Sequence, residues 1–172
     1  MGLVYTTRYL DFSHDSWKQI SANPTVFETI VDNAVLEICN TSNKEQKLIM
    51  VVDDEMEIRN IINDILVEEG YKSIVASSAN EARQLLIKYT PDLVFLDIWM
   101  PDEDGITLLK EWAGDQSKQF PVIMISGHAT IETAIKATKL GAADFIEKPI
   151  SIENLFGAID KVFSEQNQEE PA

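Results

Sequence analysis

From Lys47 onward, the sequence alternates five short apolar runs with segments whose apolar residues recur every three or four positions. The runs are too short for helices and rich in strand-forming residues, whereas the spacing of the intervening segments is typical of amphipathic helices. The predicted strands are 48–52, 71–76, 93–97, 122–125 and 143–147. Alternation of this kind predicts an α/β fold in which helices cover both faces of a parallel sheet.

Capping residues and glycines mark the ends of several predicted helices. The first helix stops at Gly70, and the second begins at Ser78, with Glu81 in the position that completes a capping box. The last helix is expected over 151–164, followed by a polar tail over 165–172.

Polar residues follow four of the five predicted strands. The residues just past strands one, three, four and five are Asp53 with Asp54, Asp97, Ser126 and Lys148. Right-handed crossovers place the carboxyl ends of all parallel strands at one edge of a sheet, so these side chains are expected to meet there. Each residue alone could be a turn aspartate, a capping serine or a surface lysine, but chance does not explain the whole set at successive strand ends.

This set of side chains predicts a phosphoryl-accepting site. Three clustered carboxylates repel one another unless a cation neutralises them, and oxygen ligands with room for water suit Mg²⁺. A carboxylate beside Mg²⁺ and an ammonium group can receive a phosphoryl group, because the two cations offset the charge on the transferred oxygens.

The overall charge limits the partners that the chain can bind. Lysine and arginine total 14 against 29 aspartates and glutamates, a formal net charge of −15. This balance argues against direct binding of nucleic acid and fits a Mg²⁺ site or a basic protein partner, although solvated acidic faces are the commoner cause. The single Cys39 cannot form an intramolecular disulfide, and no apolar run approaches the roughly 18 residues of a membrane span. We therefore expect a cytoplasmic protein with no membrane segment.

Residues 1–45 form an extension with a different texture. Asn23 and Pro24 are typical of a helix start, and apolar residues recur at helical spacing over about 24–39. This apolar face could pack on the main domain or mediate self-association. A membrane-surface role is less favoured because its polar face carries acidic residues, namely Glu28, Asp32 and Glu37. The extension contains no chemical motif, and its role stays open.

The segment 46–164 resembles the receiver domain of bacterial two-component response regulators. The motifs that carry the resemblance are Val51-Val52-Asp53-Asp54-Glu55, Leu96-Asp97-Ile98-Trp99-Met100-Pro101 with Asp104-Gly105, Ile125-Ser126-Gly127-His128 and Lys148-Pro149. The stretch 127–149 is similar to receivers of nitrogen-regulation (NtrX-like) transcription factors. The resemblance implies a flavodoxin-like, doubly wound sheet of five parallel strands in the order 2-1-3-4-5.

The resemblance also implies the residues that bind metal and phosphoryl group. Asp97 would be the phosphoacceptor. Asp54, Asp97 and the backbone carbonyl of Trp99 would bind Mg²⁺, and Asp53 would act through a water.

The resemblance also assigns two switch residues, Ser126 and Phe145, and a lysine at the phosphoryl group. Ser126 would hydrogen-bond the phosphoryl group, Phe145 would be the switch aromatic, and Lys148 would contact the phosphoryl group. A cis Lys148–Pro149 bond is expected as well.

A receiver catalyses only its own phosphorylation and dephosphorylation, so we do not expect an enzyme with a separate substrate. The implied phosphodonor is a sensor histidine kinase or a phosphotransfer protein. Phosphorylation would alter the face made by the fourth helix, fifth strand and fifth helix, through which the chain could dimerise or bind a partner. The amphipathic helix of the extension is a second possible dimer contact.

Nitrogen-regulation transcription factors continue into an ATPase and a DNA-binding domain. This sequence has no Gly-Lys-Ser/Thr phosphate loop and no basic recognition helix. The output could therefore be the extension or a separate partner, or the chain could be a fragment of a longer transcription regulator.

Two other functions compete with that of a phosphoryl-accepting receiver. A Mg²⁺-dependent phosphatase of haloacid-dehalogenase type also forms an aspartyl phosphate, but it requires Asp-x-Asp after its first strand, where this chain has Asp53-Asp54-Glu55. A pseudo-receiver that only scaffolds partners is disfavoured by the complete set of site residues.

Overall fold

The computed structural model describes residues 47–128 and 130–168. The extension 1–45, including the helix predicted over 24–39, lies outside these residues. No helix in the two described ranges is long and apolar enough to cross a membrane.

The described residues form a parallel sheet of five strands that alternate with five helices. The elements are β1 Leu48–Val52, α1 Met56–Glu68, β2 Lys72–Ala76, α2 Ala79–Lys88, β3 Leu93–Asp97, α3 Gly105–Gly114, β4 Val122–Ser126, α4 Ile131–Lys139, β5 Asp144–Glu147 and α5 Ile152–Gln168. Every neighbouring pair of strands is parallel, and the strand order is β2-β1-β3-β4-β5. The predicted doubly wound sheet is confirmed.

Two hydrophobic clusters, one on each face, hold the sheet. Met50 and Val52 of β1 belong to a cluster with residues of α2, α3 and α4, whereas Ile49 and Val51 belong to one with residues of α1 and α5. Successive side chains of a strand point to opposite faces, so a strand buried on both sides needs an uninterrupted apolar run. For this reason every residue of β3 and β4 is buried.

The second helix begins almost as predicted, with one difference. Ser78 Oγ accepts a hydrogen bond of 3.1 Å from Glu81 N, as a capping box requires. The Glu81 carboxylate, however, accepts bonds of 2.7 Å from both the amide and the hydroxyl of Ser77. Ser77 offers two donors where the Ser78 backbone offers one, and the reciprocal bond therefore forms one residue earlier.

The last helix is longer than predicted. It continues to Gln168 instead of ending near Ser164, so residues 165–168 of the predicted polar tail are helical. The expected end lay where the apolar periodicity stops after Phe163. Glu and Gln are good helix formers, however, and the nearest proline, Pro171, lies beyond the observed end.

The connection from β3 to α3 folds tightly back on the end of β3. Gly105 N donates a 2.7 Å hydrogen bond to Ile98 O, and Ile98 N donates one of 3.1 Å to Ile125 O in β4. Asp104 caps α3 by accepting a 2.9 Å bond from Ile106 N. A Cβ atom on Gly105 would lie 2.0 Å from the carbonyl oxygen of Asp97, so only glycine allows this approach.

We expect Gly105→Ala to lower the free energy of unfolding by about 1–3 kcal/mol, because the added methyl group forces the loop away from β3. The matched control is Gly114→Ala at the other end of α3, where a Cβ atom would meet nothing within 4 Å. That change should leave stability equal or raise it by up to about 1 kcal/mol. Urea denaturation measures both. An equal effect of the two substitutions would contradict the steric role of Gly105.

Candidate functional site

The residue that follows β1 and the last residues of β3 and β4 are buried at one edge of the sheet. Asp53, Asp97 and Ser126 are 0%, 3% and 0% exposed, and they are the buried polar residues within the described ranges. Lys148 Nζ lies 2.9 Å from Asp53 Oδ2 and 3.5 Å from Asp97 Oδ2. The structure thus brings together an ammonium group and two of the carboxylates that the sequence predicted to meet.

Strand register produces this convergence. Val52 pairs with Leu96 in β3, and Asp97 pairs with Ile125 in β4. Lys148 directly follows β5 and donates its amide to Ser126 O at 2.8 Å. The Lys148–Pro149 bond is cis, which confirms that expectation.

Glu55 is the site residue that the sequence analysis left without a role. Its Oε1 lies 2.7 Å from Lys148 Nζ, and its amide donates a 2.8 Å bond to Asp53 Oδ1. One carboxylate oxygen each from Asp53, Glu55 and Asp97 lies within 4.8 Å of the others. The sequence signal for a role in the site was the position of Glu55 directly after Asp53 and Asp54.

Asp54 lies at the same edge but is not one of these three carboxylates. Its charge is close enough to raise the pKa of Asp97. The backbone that carries both β1–α1 aspartates is fixed by Arg59, whose Nη1 donates 2.6 Å and 2.9 Å bonds to the carbonyl oxygens of Asp53 and Asp54. Arg59, one turn into α1, therefore orients these two residues. No sequence pattern indicated this role.

Burial dominates the electrostatics of the carboxylates. It raises the pKa of Asp97 to about 7, with a further rise from the charge of Asp53, while Lys148 and the amide of Trp99 lower it. Burial also raises the pKa of Asp53. For Lys148, burial alone would lower the pKa, but its pairing with Glu55 and Asp53 outweighs burial and raises the pKa.

The donor set fits a hard divalent cation. Lys148 is a single positive charge facing the carboxylates of Asp53, Glu55 and Asp97, so the group is short of positive charge. Asp53 Oδ2 is fully buried and makes an ion pair with Lys148 but no well-aligned hydrogen bond. Mg²⁺ prefers oxygen ligands, and the negative charge of these carboxylate oxygens is only partly neutralised by Lys148.

The two predicted switch residues lie beside this edge. Ser126 Oγ accepts a 3.2 Å hydrogen bond from His128 N. Phe145 is half-buried and packs against the cluster on the α2, α3 and α4 face. Trp99, whose carbonyl was predicted to bind metal, has a ring that is 61% exposed.

Comparison with known proteins decides the family, because residues 49–160 match the response regulator receiver domain family. The chain belongs to this family. Family membership favours the receiver over the haloacid-dehalogenase phosphatase and assigns the chain to two-component signalling.

The curated relatives that the chain matches include a putative response regulator and another regulatory protein. The chain is 44% identical over 109 residues to a putative NtrX-like response regulator of Rickettsia bellii, an alignment that covers 62% of this chain and 23% of that protein. It is 35% identical over 107 residues to the regulatory protein AtoC of Escherichia coli, again covering 62% of this chain and 23% of the relative. The chain therefore spans about a quarter of the length of these relatives.

Solved structures agree. NtrX from Brucella abortus is 40% identical with a TM-score of 0.66, over 71% of this chain and 28% of that one. A CheY-like receiver domain protein from Methanospirillum hungatei is 30% identical with a TM-score of 0.67, over 72% of this chain and 98% of that one. The receiver domain described above is thus similar in sequence and fold to the matching part of NtrX.

The raised pKa of Asp97 predicts a pH-dependent stability in the absence of metal. Ionising Asp97 destabilises the folded chain, so the cost is absent below the ordinary value of 3.8, grows as the pH rises, and is complete above about 7. Asp97→Asn should raise the free energy of unfolding by roughly 2–4 kcal/mol at pH 8 and by clearly less at pH 5. Urea denaturation at the two pH values measures this.

Asp64→Asn, on the exposed face of α1, is the control and should change stability little at either pH. An equal gain from Asp97→Asn at pH 5 and pH 8 would contradict the raised pKa.

Proposed function

We propose that this chain is a response regulator that accepts a phosphoryl group on Asp97, with Mg²⁺ bound, and thereby switches its protein–protein interactions. The observation that carries the proposal is a buried Asp97 whose Oδ2 lies 3.5 Å from Lys148 Nζ, an ammonium group that also contacts Asp53 Oδ2 at 2.9 Å. With a pKa of about 7, about half of the Asp97 side chains are ionised at neutral pH, and this carboxylate form can act as a nucleophile.

The transfer forms one bond and breaks one. A carboxylate oxygen of Asp97 attacks the phosphorus of a phosphohistidine, a P–O bond forms, and the P–N bond breaks. The departing imidazole keeps the electron pair and takes up a proton. Lys148, with its Nζ 3.5 Å from Asp97 Oδ2, is placed to contact the oxygens of the arriving group.

Several residues would hold the metal ion. Asp53, Asp97 and Glu55 supply the clustered oxygens, and Asp54 with the Trp99 carbonyl are the ligands that family resemblance adds. When bound, Mg²⁺ offsets the negative charge on the transferred phosphoryl oxygens. Lys148 would then be released from part of its pairing with the carboxylates.

The edge around Asp97 suits docking of a protein phosphodonor. Large apolar residues stand exposed where chain segments leave the strand ends, namely Met56, Trp99, Ile131 and Ile152, which are 63%, 61%, 81% and 58% exposed. Exposed apolar residues around a polar centre are typical of protein-binding surfaces. A sensor histidine kinase or a phosphotransfer protein fits this description.

The response would pass through β4 and β5. Ser126 would turn toward the phosphoryl oxygens, and Phe145 would move into the space it leaves. This changes the α4–β5–α5 face, on which Ile131 and Ile135 of α4 are 81% and 49% exposed. Binding at that face shifts the equilibrium between the two arrangements.

We assign 46–164 to the receiver domain, with its last helix extending to Gln168. The extension 1–45 is assigned a separate role, either as output or as a contact with other subunits. The whole-protein output of NtrX-type relatives would apply only if the chain is part of a longer regulator.

The acceptor assignment predicts that Asp97→Asn abolishes labelling by a ³²P-labelled small phosphodonor. The parent chain should incorporate label only with Mg²⁺ present, and EDTA should prevent it. Asp160→Asn on the exposed face of α5 is the matched control and should label like the parent. Persistent labelling of the Asp97 variant would refute the assignment.

The homodimer form of the switch predicts that beryllofluoride with Mg²⁺ lowers the dimer dissociation constant of the full chain by roughly tenfold or more, about 1.4 kcal/mol. Ile135→Ser on α4 should cancel this gain. The control is Ile87→Ser on α2, a residue that is 85% exposed but remote from α4. Sedimentation equilibrium measures all three, and an unchanged dissociation constant for the parent would exclude this form of output.

A further inference from the structure

Helix α2 contacts the loop 98–104, which carries Trp99, at two points. Asn80 N donates a hydrogen bond of 3.3 Å to Asp102 Oδ2. One turn later, Arg83 Nη1 lies 2.7 Å from Glu103 Oε2. Arg83 Nε also donates 3.1 Å bonds to both carboxylate oxygens of Glu111 in α3. A single guanidinium therefore joins α2, the loop and the helix that follows the loop.

The α2 end of this connection is rigid. Ala79 and Ala82 are fully buried in the hydrophobic cluster, and Ser78 caps the helix. Asn80 makes its contact with the backbone amide in the first turn of the helix, and Arg83 makes its contact with the side chain one turn later. The loop is thus held against an element that is itself fixed by the core.

The other end of the loop lies against the phosphoacceptor. Gly105 N donates a hydrogen bond of 2.7 Å to Ile98 O. Because Gly105 has no Cβ atom, the carbonyl oxygen of Asp97 can approach it closely. The amide of Trp99 lies close enough to the Asp97 carboxylate to lower its pKa. Because the loop is short and closed at this end, a shift of Glu103 displaces the backbone on either side of Trp99.

We propose that Arg83 is a positioning residue for Mg²⁺ binding: by holding Glu103 it keeps the Trp99 carbonyl and the Asp97 carboxylate aligned. The inference rests on the proposed function. A single exposed ion pair contributes little to stability, but a guanidinium that bridges two carboxylates defines a geometry as well. Loss of residues that orient metal ligands costs 10–100-fold in metal affinity, and Arg83 acts at longer range, so we expect about 3–10-fold.

The sign of the effect separates positioning from simple electrostatics. Arg83→Gln removes a positive charge, which by Coulomb's law alone would strengthen the binding of a cation. Loss of positioning weakens it instead. Lys118→Gln is the matched control, because Lys118 pairs with Asp115 at 3.3 Å and Glu111 at 4.0 Å in the same network, with no ion pair to the loop.

The experiment uses the full chain and two readouts. Titration calorimetry gives the dissociation constant for Mg²⁺, and amide hydrogen exchange without metal reports the opening of 98–105. Arg83→Gln should raise the dissociation constant about 3–10-fold and speed exchange in this segment, whereas Lys118→Gln should do neither. Arg83→Lys should restore part of the affinity, since an ammonium group cannot bridge both carboxylates as the guanidinium does.

A double-mutant cycle tests the pair directly. Adding Glu103→Gln to Arg83→Gln should weaken Mg²⁺ binding less than Glu103→Gln does in the parent, because the positioning contact is already lost. An unchanged or lower dissociation constant in Arg83→Gln, with normal exchange, would overturn the role of Arg83 while leaving the proposed function intact. If the parent chain itself binds no Mg²⁺, the proposed function fails, and this inference fails with it.

Discussion

The burial of two like charges beside one lysine is the constraint on which the site depends. Asp53 and Asp97 are 0% and 3% exposed, and burial raises the pKa of both. Ionisation of these buried carboxylates destabilises the folded state, so other interactions must hold the backbone of this edge in place. The two hydrophobic clusters do this, because β1 and β3 are packed on both faces and register with each other from Ile49 to Val52. The hydrophobic packing of the sheet stabilises the fold and offsets the free-energy cost of the buried carboxylates at its edge.

Lys148 divides its charge unevenly among its neighbours. Its Nζ lies 2.7 Å from Glu55, 2.9 Å from Asp53 and 3.5 Å from Asp97. Its closest partners are Glu55 and Asp53, whereas the proposed acceptor, Asp97, is the least compensated. A new anion on Asp97 would compete with Glu55 for the lysine, and Glu55, which is largely exposed, can turn to solvent at little cost. The distances thus favour a lysine that changes partners over one that is fixed.

Sequence reasoning located the strand-end residues because parallel topology converts position along the chain into position in space. Asp97 and Lys148 needed only the apolar runs before them to be placed at one edge. Contacts that depend on the path of a loop carry no such periodic signal, so the close approach of Gly105 to Asp97 and the contacts of Arg83 were not predicted. The pairing of Glu55 with Lys148 depends on where a side chain turns at the start of α1, which no spacing rule specifies. The end of α5 was misplaced because apolar periodicity marks burial, whereas helix propensity continued to Gln168.

The loops that follow β3 and β4 differ in how they are held, and the two loops are suited to different roles in the site. After β3, the chain is pinned by the bond from Gly105 to Ile98 and by the contacts of Arg83. After β4, Gly127 and His128 are exposed, and His128 N reaches Ser126 Oγ at 3.2 Å. A nucleophile benefits from a fixed position, because misplacement by a fraction of an ångström slows transfer. A reporter of phosphorylation benefits from freedom to move. The β3 side therefore suits the chemistry of Asp97, and the β4 side suits the response of Ser126 and Phe145.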